Sequence, residues 1–413
     1  MFRGRILTAV LVVAAVAAGV GWRASSAQPT GEELGVYQVT GLTDAAQRKR
    51  LSVLGLDIVG HTADTATVVA TQGEAEGLRR SGLTSRYQGT AREFYRYPAG
   101  RARGYHDYDS ALAQLRDQVS RHPAIARLAD IGNSFEGRPI PLMKISDNAG
   151  ADEGEPEVVL TCNIHAREHL TAEMCLHVVD RYLAGYGTDP AITDLVNGRV
   201  LWVLPMVNPD GSEYDKDQQG WRKNRESPAV DLNRNFGHQW GCCQGSSADP
   251  ESSTYRGEQA FSATETRRIR DFVHSRVIGG RQRIAAHIDF HTFGEMVGWP
   301  FGYTAAATGP GMSADEARTF QELGQKMAAT NGYSAGKDSE LYITDGGFDD
   351  WMWGEQRIYS YTFEMYPAQG PAGNGGFYPP AEVIDRETSR NDKAVDLLMS
   401  YANCVPKVIG KAC

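Results

Sequence analysis

The feature that most restricts the fold is a series of short, nearly unbroken apolar runs separated by helix-like stretches. Ile140–Ile145, Val158–Thr161, Val200–Leu204 and the run ending Ile288-Asp289-Phe290 have strand length and little polar alternation. A strand with one wet face alternates apolar and polar residues, so a continuous run marks a strand covered on both faces. Between the runs, Ala111–Val119 and Leu170–Leu183 carry apolar residues at helical spacing. Strands and helices in alternation imply an α/β sheet with helices on both faces. Functional side chains in such folds gather beyond the strand ends, where His165, Asn208 and His291 fall.

The run Val158–Thr161 leads into Cys162-Asn163-Ile164-His165-Ala166-Arg167-Glu168. Taken alone, His165-x-x-Glu168 fits a solvated helix start as well as a ligand pair. His291, closing the run at Ile288, supplies a third donor. Two histidines and a glutamate form a three-ligand zinc site that leaves the fourth position for water, the catalytic arrangement. His169 is excluded as a ligand if a helix begins there, and His177, His238, His274 and His287 read as surface or core residues.

The net charge of −9 and the pI of 5.6 exclude a nucleic-acid partner, since no basic stripe neutralises phosphates. Arg3 and Arg5, the apolar Ile6–Trp22 and then Ser25-Ser26-Ala27 have the order of a secretory signal peptide, residues 1–27. An uncleaved anchor is the alternative; no other stretch is long and apolar enough to span a bilayer. The 6 cysteines suit an oxidising destination. Cys404 and Cys413 could staple the C-terminal tail, but pairing is not decidable from spacing. Residues 34–85 read as a small α+β unit of their own. A linker bearing Arg92, Arg96, Arg101 and Arg103 follows, a good protease substrate.

Beyond the metal motif come Trp221-Arg222-Lys223-Asn224-Arg225, then Asp231-Leu232-Asn233-Arg234-Asn235-Phe236, Tyr342, Asp350-Trp351 and Tyr361-Thr362-Phe363-Glu364. Their order resembles the zinc metallocarboxypeptidases of the A and B type, most closely the secreted bacterial branch typified by carboxypeptidase T. The likeness runs from about Tyr105 to Cys413. It implies a mixed, mostly parallel sheet in a catalytic domain over 104–413, and a propeptide over 28–103 that covers the cleft until removed. The His2Glu set is also the one the resembled family uses.

The resemblance also implies roles. Zinc would be held by His165, Glu168 and His291, with Asp231 accepting from the first histidine; an Asp capping the turn before Leu232 is the plainer reading. Glu364 would be the general base for a zinc-activated water, and Arg225 would stabilise the oxyanion. The stretch between Arg225 and Asn233 is shorter than in the animal members. Asn233 and Arg234 would clamp the substrate's α-carboxylate, a task suited to a planar guanidinium. Tyr342 would close over the bound residue and Arg167 would line the peptide's approach. Asp349 aligns with the pocket floor, where a carboxylate implies a C-terminal Lys or Arg, or a dual preference; Lys337 nearby could neutralise it. The expected partners are peptide or protein C-termini and the chain's own propeptide, with a secreted monomer as the working form. A peptide-binding relative without activity would have lost a ligand or the base, and none is lost. A hydrolase of cell-wall peptides stays open.

Overall fold

The computed structural model describes residues 33–61, 64–94, 104–217, 220–368 and 376–413. The expected signal segment and most of the basic linker lie outside the described residues. Among those described, no helix is long and apolar enough to cross a membrane.

The N-terminal unit is a four-stranded antiparallel sheet with two helices. Its strands are β1 (Gly35–Thr40), β2 (Asp57–His61), β3 (Thr65–Ala70) and β4 (Thr84–Thr90), in the order β2-β3-β1-β4. Helix α1 (Ala45–Val53) starts at Asp44 and α2 (Gln72–Arg80) at Thr71. Each cap accepts from the third helical residue, whose own side chain reaches back to the cap backbone. Val39, Leu51, Val68 and Leu78 are buried together between sheet and helices.

The large domain is built on eight strands, numbered onward in chain order. They are β5 (Ala126–Asn133), β6 (Pro139–Ile145), β7 (Glu157–Cys162), β8 (Val200–Leu204), β9 (Ile284–Thr292), β10 (Met296–Trp299), β11 (Ser334–Lys337) and β12 (Tyr359–Met365). Their order is β11-β10-β12-β9-β7-β8-β6-β5. The four central strands β12, β9, β7 and β8 are mutually parallel, while β5, β6 and the β10–β12 pair add antiparallel neighbours. The sheet is therefore mixed, as expected.

Side chains alternate across the sheet. Val158, Leu160, Ile288 and Phe290 face a core shared with the helices α3 (Tyr108–Arg121), α4 (His169–Gly185), α6 (Ala314–Asn331) and α8 (Asp392–Tyr401). Val159 and Leu204 face a second core with α5 (Thr264–Ser275) and α7 (Phe348–Gly354). Covering on both faces is why these runs lack a polar rhythm. Three disulfides join Cys162 to Cys175, Cys242 to Cys243 and Cys404 to Cys413. The first ties the end of β7 to α4.

The small unit sits over the C-terminal ends of the central strands. Val36, Val69 and Ala91 pack with Phe293, Phe377 and Tyr378 in a satellite core. Ser252 Oγ donates to Gly55 O at 2.9 Å, and Ser253 N–H donates to Glu74 Oε1 at 3.2 Å.

Candidate active site

The sheet sets the site by ending three parallel strands at one level. His291 is the last residue but one of β9, and its Cα partner on β12 is Glu364. The chain leaving β7 turns at Asn163, whose φ of 58° is the left-handed region that asparagine tolerates. Asn163 Nδ2 donates to the carbonyls of His165 (3.3 Å) and Ala166 (3.2 Å), which fixes the loop before α4 begins at His169. That loop brings His165 Nδ1 to 2.8 Å from Glu168 Oε1. His291 Nδ1 lies 3.1 Å from both His165 Nδ1 and Glu168 Oε2. Two imidazole nitrogens and a carboxylate, all buried, thus converge within 4.8 Å of one another. Burial alone would raise the Glu168 carboxyl, but His165 and His291 hold it well below the usual carboxylate range. Two borderline nitrogens and one oxygen are the donor set zinc accepts, so the residues fit the metal.

Asp231 caps the local turn and lies beside the first histidine. Its Oδ1 accepts from Asn233 N–H at 3.1 Å, capping the turn Leu232–Arg234, and also stands 3.3 Å from His165 Nε2. Burial opposes its charge, yet Arg222, His165 and Arg234 hold its carboxyl far below the ordinary value. His169 is turned away and bonds Asp215 at 2.8 Å.

Glu364 Oε2 is buried and has no hydrogen-bond partner among the described residues. Burial and the neighbouring Glu168 push its carboxyl up to about 8 against the opposing pull of His291 and Arg222. A bound dication would oppose that rise. Arg234, Asn233 and Tyr342 line the same cavity as the metal ligands. Asn233 Oδ1 accepts from Phe348 N–H at 2.9 Å, and Arg234 Nη1 donates to Asn233 O at 2.7 Å. Burial raises the Tyr342 phenol.

Arg225 is a correction. Its guanidinium lies over the Tyr214 ring at 3.5 Å and its Nε is 3.8 Å from Glu136, outside the cavity. Arg222 occupies the expected place, with Nε donating to Asp231 at 3.0 Å and its side chain lining the cavity. The loop has no helical period, so position three residues apart could not be judged from spacing. Lys337 is the second correction. Its Nζ donates to the carbonyls of Thr304 (3.0 Å) and Ala306 rather than pairing with Asp349.

Asp349 is almost fully buried and accepts from the hydroxyls of Ser360 and Thr362. Two further carboxylates, Asp338 and Asp350, line the same pocket. Asp350 accepts from the N–H groups of Gly302 (2.8 Å) and Tyr303 (3.1 Å), and a Cβ on Gly298 would collide with Asp338 Oδ1. Burial, then the neighbouring Asp349 and Asp350, push Asp338 well up; burial chiefly takes Asp350 to about 7.

The N-terminal unit reaches into this cavity through Asp57, Ile58, Val59 and Gly60. Asp57 Oδ2 accepts from Arg167 Nη2, and its Oδ1 is 3.7 Å from Arg222 Nη1. Arg167 is fully buried, with its guanidinium 3.9 Å from the Phe377 ring centroid. Neither Asp57 nor Asp338 stood out in the sequence, since lone aspartates in polar segments carry no pattern.

Two imidazoles and a carboxylate with an open side, a protonatable glutamate opposite and guanidinium groups around them define a hydrolytic centre of the single-zinc type. The zinc carboxypeptidase family profile matches residues 112–394. A zinc carboxypeptidase of Saccharothrix mutabilis subsp. capreolus is 43% identical, covering 99% of both chains. Carboxypeptidase A2 of Mus musculus is 32% identical over 68% of this chain and 66% of its own. The crystal structure of carboxypeptidase A from Helicoverpa armigera superposes with a TM-score of 0.74 at 24% identity, covering 90% of this chain and 97% of that one, a likeness of fold. The chain belongs to the zinc carboxypeptidase family. It is accordingly a zinc-dependent exopeptidase, and the expected fold, metal and family hold.

Proposed function

We propose that the protein is exported as a proenzyme and, once its N-terminal unit is removed, releases C-terminal residues with a basic or dual preference. The reading of the chemistry rests above all on Glu364, which lines the cavity of the three ligands and whose Oε2 is buried without a hydrogen-bond partner among the described residues. A buried polar atom left unpaired costs about 2–7 kcal/mol, so such a placement is a cost that function explains. Zinc at His165, Glu168 and His291 would supply a Lewis acid for the scissile carbonyl and its attacking water. Glu364 then takes the proton from the nucleophile and returns it to the leaving amine. Arg222, beside the ligands, is the group suited to the charge developing on the carbonyl oxygen. Arg234 with Asn233 holds the terminal carboxylate, and Tyr342 closes over the bound residue. Arg167 serves the entering chain.

The basic preference is supported by Asp338, Asp349 and Asp350 around one pocket, with the Lys337 Nζ donating to backbone carbonyls rather than to Asp349. A cationic side chain entering there would oppose both the burial and the carboxylate repulsion that push Asp338 up. The proenzyme reading is supported by Asp57, which satisfies Arg167 and approaches Arg222 as a substrate's carboxylate or carbonyl would.

The test is a peptide series on the matured enzyme, differing only in the last residue: Arg, Lys, Leu, Phe, or an amide. Chelator-sensitive release of single residues, Arg and Lys fastest and the amide inert, is the expected result. Preference for Leu and Phe would refute the basic pocket. No release from any peptide would refute the carboxypeptidase mechanism on these substrates and favour a cell-wall peptide.

A further inference from the structure

A buried chain of hydrogen bonds runs from a metal ligand to the pocket floor. The ring of His291 turns Nδ1 toward His165 and Glu168, which leaves Nε2 facing Asp289 Oδ2 at 2.8 Å. Asn233 Nδ2 also stands 3.4 Å from Nε2. That amide is oriented by Phe348 N–H on its Oδ1, so it presents hydrogens and cannot accept from the ring. Asp289 is therefore the acceptor.

Asp289 is held in turn. Thr161 Oγ1 donates to Asp289 Oδ1 at 2.6 Å and lies 2.8 Å from His287 Nε2. His287 Nδ1 is 2.6 Å from Ser360 Oγ, and that hydroxyl donates to Asp349. All these side chains are buried. The sheet register builds the chain: 287, 289 and 291 share one face of β9, with Thr161 opposite Asp289 on β7 and Ser360 opposite His287 on β12.

We propose that Asp289 is a positioning residue for His291, and that Thr161, His287 and Ser360 join it to Asp349, so that metal centre and pocket floor share one support. The proposal rests on the zinc site and pocket described above. A carboxylate on the outer nitrogen of a ligating histidine fixes its tautomer, keeps the Nδ1 lone pair on the metal and raises its basicity. A buried hydrogen-bonded network is stiff, and removing one member leaves its neighbours without partners.

The experiment uses the full chain loaded with zinc, its affinity measured by competition with a chromophoric chelator, and with cobalt(II) for a visible spectrum of ligand geometry. Asp289→Asn should weaken zinc by about 10–100-fold and alter the cobalt spectrum. Thr161→Val, which keeps shape and loses only the hydroxyl, should move both readouts less and in the same direction; it carries the test if Asp289→Asn does not fold. His287→Phe suits a ring packed at a tilt against Phe348, 4.6 Å between centroids. It should weaken zinc and, after linker cleavage, raise KM for peptides ending in Arg more than it lowers kcat. Zinc affinity within about twofold of wild type in Asp289→Asn, or in Thr161→Val where that variant carries the test, together with an unchanged cobalt spectrum would overturn the positioning role. A His287→Phe effect on only one of metal and KM would overturn the shared support. Wild-type protein that takes up no zinc would overturn the site reading itself, a separable failure.

Discussion

Replacing Asp57 by Ala should make the uncleaved chain active. In the closed arrangement Asp57, Arg167 and Arg222 are about as buried as core residues, with side-chain exposures of 5%, 1% and 9%. Removing one partner of a buried ion pair costs about 3–5 kcal/mol because the other charge is stranded. Arg222 keeps Asp231 at 3.0 Å, and Arg167 keeps Gly220 O at 3.4 Å and the Phe377 ring, so the lower figure applies. About 3 kcal/mol moves the closed-to-open ratio by roughly a hundredfold. The opened state does not pay this cost, since both guanidinium groups then face water or substrate. The assay is the initial rate on a short peptide ending in Arg, with mass spectrometry confirming that the chain is intact. The same variant after linker cleavage should match cleaved wild type, because Asp57 has gone with the released unit. An intact Asp57→Ala chain no faster than wild type, with the cleaved pair equally active, would refute the claim that this carboxylate holds the unit over the site.

Glu364→Gln should lower kcat by about 10²–10⁴ while zinc, counted by metal analysis, stays bound. Arg222→Gln should cost about 10²–10³ in kcat and Arg225→Gln almost nothing, a contrast that steady-state kinetics on the matured enzyme decides. Asp349→Asn and Asp338→Asn should each lower the Arg-over-Leu ratio of kcat/KM by about 2 kcal/mol or more, roughly thirtyfold, if each carboxylate meets the substrate cation. The His106–Glu173 pair at 2.8 Å carries a pH dependence, because the hydrogen bond to Glu173 raises the His106 pKa despite partial burial. Its stabilisation is complete below the unfolded value near ~6.5 and fades as pH rises through the raised folded value. Thermal midpoints should show that loss in wild type, and Glu173→Gln should flatten it.

Much of this was readable in the chain because it depends on local order. Unbroken apolar runs force two-sided burial, and a polar residue ending such a run must lie at the sheet's rim; His165, Glu168, His291 and Glu364 follow from that logic joined to the family likeness. Asn233 and Arg234 lie on a short turn outside any such run and come from the family likeness alone. What needed the folded chain was every relation between segments with no common period. Arg222 and Arg225 look equivalent in a loop, and only packing sends one to the metal ligands and the other onto Tyr214. Lys337 is close to Asp349 in sequence, yet its Nζ finds two carbonyls. Asp57 meets Arg167 across the contact between the N-terminal unit and the large sheet. His287 looked like an isolated core histidine until the register of three strands gave it Thr161 and Ser360. Sequence determined which residues must be buried and where chemistry could emerge, because hydrophobic period acts along the chain. Tertiary structure decided the partners, because hydrogen bonds and ion pairs act across space over a few ångströms.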